Sequence, residues 1–141
     1  MAVVFYIIGG LAFFFIAYSV YSFQKIKRQP VVPDSSKIKV LNSGNFDTIT
    51  KREIVVVDFW APWCAPCKVM APVLNDIADS EVDITVGKVN VDNQPLLAEK
   101  FAIRGIPTMV IFKNGKEVKR FTGVKTKAII LNEVGKIKNQ N

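Results

Sequence analysis

The chain has 141 residues, half of them hydrophobic, which excludes a largely disordered protein because such proteins have too few apolar residues to build a core. It contains two cysteines and no histidine, so a zinc site within one chain, which usually needs four such ligands, is excluded. A metal site shared across a dimer stays open. The net charge of +7 comes without an arginine-rich stripe or an RNA-binding motif, so we predict no nucleic-acid partner. We interpret the positive charge as favouring solubility and attraction to anionic lipid.

The first 24 residues carry no charged side chain. Ala2–Phe23 is a run of 22 mostly apolar residues. As a helix it would be ~33 Å long, which is enough to cross a hydrocarbon core of ~30 Å. We therefore predict a transmembrane anchor at residues 1–24, with the lipid bilayer as the partner of residues 2–23. A cleaved signal peptide is the alternative, but it would need a basic segment before a shorter apolar core.

Basic residues follow this run at once, between positions 25 and 28. The positive-inside rule places such a flank in the cytoplasm, and the rest of the chain with it. The opposite orientation, with the domain outside the inner membrane of a bacterium, stays open. Residues 25–36 contain two prolines and lack hydrophobic periodicity, which predicts a basic, proline-containing tether. Residues 37–141 remain for one domain, and about 100 residues suffice for a single core.

Strands and helices alternate through this domain. The predicted strands lie at 38–40, 54–60, 83–91, 108–112 and 117–121, and the predicted helices at about 43–49, 64–78, 95–101 and 130–137. Asn114-Gly115 between the last two strands is a strong hairpin signal. This order predicts an α/β fold in which a mixed sheet is covered by helices on both faces.

Both cysteines lie in the stretch Trp63–Cys67, where an apolar strand ends and a helix begins. A thiol attacks a disulfide only as its thiolate, and a helix N-terminus favours an anion. We therefore predict a lowered pKa and a nucleophilic role for Cys64, and a resolving role for Cys67, one turn further in and more shielded. Pro66 suits an early helical position, where its missing N–H costs little. Two buried structural cysteines are the alternative, and they would not explain the tryptophan in front.

Five segments of the chain resemble the thioredoxin family, in the family's order. They are Phe59–Lys68 around the cysteines, Lys88–Asp92 as the central strand and its turn, Ile103–Thr108, Phe112–Lys116 as a hairpin, and Gly123. The resemblance covers about residues 37–138 and implies the thioredoxin fold. One position departs from it.

Ala65 stands where most thioredoxins have glycine. The two residues between the cysteines, Ala65 and Pro66, help to tune the redox potential in this family. The resemblance therefore leaves the potential of this chain open, while it keeps the dithiol mechanism.

The resemblance also gives roles to two charged residues. Asp58 interrupts an apolar strand, and from the residues alone both a buried and a solvent-facing position stay open, because burying an unpaired carboxylate is costly. The resemblance implies that Asp58 is a buried acid beneath the active site that accepts the proton of Cys67. Lys88 would be its charged neighbour; the alternative is an ordinary strand lysine with its amine in water.

The third implied feature is a cis peptide bond before Pro107. X–Pro bonds are cis only about one time in twenty, so the sequence alone predicts trans. The resemblance implies cis, which would leave the backbone of Ile106 free to pair with an extended substrate strand. Trp63, partly exposed, would then edge a shallow substrate groove together with Gly105 and Ile106.

The resemblance implies a thioredoxin that reduces disulfides in other proteins, and the apolar run before it predicts that this thioredoxin is membrane-anchored. The chain has no nucleotide-binding or metal-binding motif, so we predict no cofactor. Its electron donor would be a thioredoxin reductase in the cytoplasm, or a membrane electron carrier outside it. Two alternatives stay open. One is a membrane-tethered reductase of envelope or cytochrome thiols outside the cytoplasm. The other is a non-catalytic interaction module whose thiols are incidental.

Overall fold

The computed structural model describes residues 2–27 and 32–140, and in the first helix the side chains of residues 8–22 and 24. The chain forms two compact units, Met1–Val31 and Val32–Asn141. The second unit thus begins five residues earlier than the domain predicted from the sequence, and it includes the end of the predicted tether.

The first unit contains one helix, α1 (Ala2–Lys27). Its described side chains are all exposed, including three consecutive phenylalanines from Phe13 to Phe15. Among the described residues, no helix combines the length and the apolarity needed to span a bilayer. The transmembrane anchor is therefore not confirmed. The basic residues used to predict its orientation lie outside the side chains that the structure describes.

The second unit is a five-stranded sheet with four helices. Its elements are β1 (Lys39–Val40), α2 (Phe46–Thr50), β2 (Ile54–Trp60), α3 (Ala65–Ser80), β3 (Thr85–Asn90), α4 (Pro95–Lys100), β4 (Thr108–Lys113), β5 (Lys116–Thr122) and α5 (Lys127–Asn139). The strand order is β1-β3-β2-β4-β5. Strands β1, β3 and β2 run parallel, while β4 is antiparallel to both β2 and β5, so the predicted mixed sheet is confirmed.

Helices cover both faces of the sheet, because the central strand β2 is apolar on both of its sides. Val56 faces one hydrophobic cluster, to which α3 and α5 contribute Leu74 and Ile130. The neighbouring Val57 faces the other cluster, together with Phe46 from α2. The prediction of helices on both faces is confirmed. Predicted boundaries differ from the observed ones by a few residues at several ends, where local sequence signals are weakest.

The Asn114-Gly115 hairpin is also confirmed. Both residues have positive φ, 52° and 83°, as a two-residue type I′ hairpin turn requires. Two backbone hydrogen bonds fix the turn to the segment before β2: the N–H of Asn114 donates to the carbonyl of Arg52, and the N–H of Gly115 donates to the carbonyl of Thr50. These bonds place the β4–β5 hairpin at the N-terminal end of β2, which is the end away from the cysteines.

Gly87 in β3 provides a test of this packing. A Cβ at this position would lie 2.5 Å from Cδ1 and 3.0 Å from Cγ of the buried Leu41. We expect Gly87→Ala to lower the free energy of unfolding by about 1–3 kcal/mol, the usual cost of overpacking a core. Urea denaturation measures this change.

The matched control is Gly135→Ala in α5, where nothing lies within 4 Å of the added Cβ. Since alanine favours a helix over glycine by up to about 1 kcal/mol, this variant should be unchanged or more stable. Equal stability of the two variants would contradict the close packing of the Leu41 side chain against Gly87.

Candidate active site

Cys64 and Cys67 form a disulfide, with an S–S distance of 2.09 Å and a Cα–Cα distance of 5.3 Å. Cys64 is the N-cap of α3, and its Sγ accepts a hydrogen bond from the backbone N–H of Cys67 at 3.2 Å. Ala65 begins the helix, and Pro66 occupies an early position, as predicted. The sulfur of Cys64 therefore lies where the first free N–H groups of a helix favour a negative charge.

The two sulfur-bearing residues are equally enclosed. Cys64 is 4% exposed and Cys67 5%, so the prediction that Cys67 is the more shielded residue is wrong for the disulfide-bonded state. The two cysteines form one cluster with the buried Ala61, and the partly buried Trp60 and Ile106 pack against this cluster. The reason is geometric: the disulfide draws the N-cap side chain onto the first turn of the helix. The distinction between nucleophile and resolving thiol thus depends on their helix positions.

Asp58 is fully buried, as the resemblance implied. It lies in β2 with Lys88 of β3 on one side and Met109 of β4 on the other. Its side chain projects from the same sheet face as Val56, the face that α3 covers. Neither carboxylate oxygen has a hydrogen-bond partner among the described residues. The pKa of Asp58 is raised from 3.8 to about 7, mainly because the group is buried. The positive charge of Lys88 lowers this pKa, and the negative charge of Asp34 raises it.

Lys88 is the charged neighbour predicted for Asp58, but its ammonium has another partner. Lys88 is only 6% exposed. Its Nζ lies 2.6 Å from Oδ1 of Asp34 and 4.3 Å from the ring centroid of Trp60. The alternative interpretation of Lys88, with its amine in water, is therefore wrong. The positive charge is retained inside the site by a carboxylate and an aromatic face.

The peptide bond between Ile106 and Pro107 is cis, which confirms what the resemblance implied. In the described part of the chain, the backbone of Ile106 makes no hydrogen bond. Trp63, Gly105 and Ile106 line a shallow cavity of about 250 Å³, together with Ala98, Ile103 and other residues. The predicted groove residues are thus brought together, and Ile106 also packs against the disulfide.

Trp63 is 69% exposed, in agreement with its predicted position at the rim. Its Nε1–H donates to the carboxylate of Asp92, with a distance of 3.0 Å to Oδ2. The sequence did not identify Asp92 as a site residue, although the segment Lys88–Asp92 resembles the thioredoxin family. It also missed Asp34, for which the sequence contains no local signal. No group of three or more His, Cys, Asp or Glu among the described residues is arranged to hold a metal ion.

The burial of Asp58 predicts a specific pH dependence of stability. Its pKa is higher in the folded protein, about 7, than the ordinary 3.8 expected after unfolding. Between these values the native state binds more protons, so this group makes stability fall as pH rises. We expect Asp58→Asn to raise the free energy of unfolding above pH 7 relative to the parent, by an amount on the order of 4 kcal/mol.

Urea denaturation of the oxidised parent and variant at pH 5 and pH 8 measures this effect. The stability difference between the two proteins should grow toward pH 8. The control is Asp47→Asn, which alters an exposed ion pair with Lys100 and should leave the pH dependence as it is. A difference between Asp58→Asn and the parent that does not change with pH would contradict the assigned burial of the charge.

Comparisons with known proteins agree with this geometry. The thioredoxin family profile matches residues 37–136. A thioredoxin from Mycobacterium bovis is 44% identical over 105 residues, covering 73% of this chain and 90% of its own. A bifunctional thioredoxin reductase/thioredoxin from Mycobacterium leprae is 42% identical over 102 residues, covering 71% of this chain and 22% of its own.

Among solved structures, a mutant thioredoxin from Halobacterium salinarum matches with a TM-score of 0.66 and 28% identity, covering 73% of this chain and 92% of its own. The helix-capping cysteine pair, the buried carboxyl beneath it and the cis-proline beside it thus occur in a chain whose sequence and fold match the same family. The chain belongs to the thioredoxin family, and Cys64 and Cys67 are the cysteine pair of a protein thiol-disulfide oxidoreductase.

Proposed function

We propose that the reduced protein transfers two electrons to disulfides of other proteins, with Cys64 as the attacking thiol. The Cys64 thiolate forms a bond with one substrate sulfur, the substrate S–S bond breaks, and the other substrate sulfur leaves as a thiolate. Cys67 then loses its proton and attacks Cys64. This releases the second substrate thiolate and leaves the Cys64–Cys67 disulfide, the state in which the protein is described.

Asp58 is the proposed acceptor of the Cys67 proton. A general base works best when its pKa lies near the working pH, and burial places the pKa of Asp58 at about 7. Near neutral pH, the group is therefore carboxylate in a large fraction of molecules and still basic enough to take a proton from a thiol. The position of Asp58 on the sheet face beneath α3 supports this role.

Substrates are proposed to bind in the groove beside the disulfide. The unpaired backbone of Ile106 offers an N–H and a carbonyl to an extended peptide, and the exposed Trp63 offers an apolar surface. Pro107, at the cis bond, and Gly105 flank this backbone. A binding mode through the peptide backbone suits many unrelated substrate sequences.

The observation that carries this function is the position of Cys64 as the N-cap of α3, with its Sγ accepting from the N–H of Cys67. We expect Cys64→Ser to reduce insulin no faster than dithiothreitol alone, because the remaining Cys67 thiol lacks the N-cap position and has no second thiol to release a mixed disulfide. Cys67→Ser should lose turnover but accumulate a mixed disulfide through Cys64, since the attack remains and resolution fails. Insulin turbidity and intact-mass spectrometry of the full chain in detergent measure the two effects.

Full insulin reduction by Cys64→Ser would contradict the assignment of the nucleophile. The alternative of a non-catalytic interaction module predicts instead that Cys64→Ser/Cys67→Ser restores full function to a deletion strain. If the double variant does not restore function to that strain, this alternative is excluded.

The proposed electron donor is a thioredoxin reductase. In the Mycobacterium leprae relative, a reductase and a thioredoxin are parts of one protein. If the domain lies outside the cytoplasm, the proposed electron donor is a membrane electron carrier.

We further propose that residues 2–23 anchor the protein in a membrane, with the thioredoxin domain in the cytoplasm. The support is the absence of charge from the first 24 residues and the exposure of apolar side chains around α1, such as Leu11 and Phe14. A helix that is apolar all round is normally covered by protein or lipid. The basic residues that follow favour the cytoplasmic side.

Cell fractionation and thiol labelling test this proposal. The full chain should stay in the membrane fraction after alkaline extraction, whereas a chain lacking residues 2–24 should be released. After reduction by a permeant phosphine, a membrane-impermeant maleimide should label Cys64 only in lysed cells. Cys64→Ser/Cys67→Ser gives the background. Labelling in intact cells would place the domain on the other side and favour envelope or cytochrome thiols as substrates.

A further inference from the structure

The segment just before the sheet is fixed onto α3, the helix that carries the cysteines. The side-chain amide of Asn75 contacts this segment on both sides of Asp34: its Oδ1 accepts from the N–H of Ser35 at 2.9 Å, and its Nδ2 donates to the carbonyl of Pro33 at 2.9 Å. The Ser35 hydroxyl also donates to Asp79 at 2.6 Å. None of these bonds uses the carboxylate of Asp34, which is left to point at another partner.

That partner is the ammonium of Lys88, at 2.6 Å. The pair is asymmetric: the Lys88 side chain is 7% exposed and that of Asp34 is 34% exposed. Lys88 projects from the same sheet face as Asp58, its neighbour across β2 and β3. Yet both oxygens of Asp58 lack a hydrogen-bond partner among the described residues. The ammonium of Lys88, which is buried near this acid, is therefore bonded to Asp34.

We propose that Asp34 is a positioning residue of the redox site, which holds the Lys88 ammonium away from Asp58 and so keeps Asp58 ready to accept a proton. The inference rests on the proton-acceptor role proposed above for Asp58. It extends the site beyond the sheet and α3 to a segment that precedes the first strand.

The charges around Asp58 support this role. Lys88 from β3 and Asp34 from the docked segment act on it, and β4 contributes the apolar Met109. The sulfurs of Cys64 and Cys67 on the covering helix do not titrate in the disulfide. Burial is the largest cause of the raised pKa of Asp58. The positive charge of Lys88 lowers it, and the negative charge of Asp34 raises it. Without the Asp34 charge, its contribution to the raised pKa of Asp58 is lost, and the Lys88 ammonium is released to approach Asp58.

The test is a carboxyl titration of the full chain in detergent, in the oxidised state. With ¹³C-labelled aspartate, the Asp58 resonance is assigned by its loss in Asp58→Asn, and its midpoint is read by NMR. We expect Asp34→Asn to move this midpoint to lower pH, while Asp34→Glu, which keeps the charge, restores it toward the parent value. Asp47→Asn, which neutralises an exposed acid paired with Lys100, is the control and should leave the midpoint unchanged.

A double-mutant cycle shows whether Asp34 acts through Lys88. In a Lys88→Met background no ammonium is left to be held, so Asp34→Asn should shift the midpoint less than in the parent. An unchanged midpoint in Asp34→Asn, or an equal shift in both backgrounds, would overturn the inference. The NMR signals of Ser35 and Asn75 report whether the segment stays docked.

Insulin reduction separates this inference from the proposed function. If Asp58 accepts the proton of Cys67, the pH profile of Asp34→Asn should move to lower pH together with the carboxyl midpoint. A moved midpoint with an unmoved activity profile would count against the role of Asp58 in catalysis. The carboxyl titration alone decides the role of Asp34, because it does not depend on activity.

Discussion

The burial of one carboxyl group, that of Asp58, is the constraint on which the proposed proton transfer depends. A carboxylate removed from water without hydrogen bonds is unfavourable, and the molecule responds by a raised pKa. The cost is on the order of 4 kcal/mol at alkaline pH, a large share of the 5–15 kcal/mol that is typical of a domain's stability. A well-packed core on both faces of β2 is what allows the group to remain there.

The fold brings the acid and the sulfurs together through connectivity. Strand β2 lies in the middle of the sheet and leads, after a short turn, into α3, which packs back over the strand that precedes it. Asp58 and Cys67 are thus parts of one strand–turn–helix unit. The cis-proline segment before β4 comes to the same end of the sheet because β4 is antiparallel to β2 and begins beside Phe59.

Much of this site could be predicted from the sequence because its signals are local. The two cysteines, Pro66 and the change from strand to helix lie within a few positions of one another. The turn at Asn114-Gly115 is likewise predicted by its two residues alone, because Asn and Gly accept positive φ. Asp34 could not be found in this way, because its partner Lys88 is 54 positions away and the pairing exists only once β3 is formed. The cis bond before Pro107 is likewise set by tertiary context, and only the family resemblance indicated it.

The balance of charges around Asp58 explains why a half-buried residue outside the sheet can matter to the reaction. Burial is the largest cause of the raised pKa of this group, and a base is most sensitive to small effects when its pKa lies near the working pH. At a pKa of about 7, about half of the groups are carboxylate at neutral pH, and lowering the pKa by one unit raises that share to about nine tenths. The ammonium of Lys88 is the nearby charge that lowers this pKa. Asp34 binds that ammonium and so determines by how much the pKa of Asp58 is lowered. The Asp34–Lys88 pair is therefore better understood as an adjustment of Asp58 than as a contribution to stability, since a partly exposed ion pair adds little net free energy to folding.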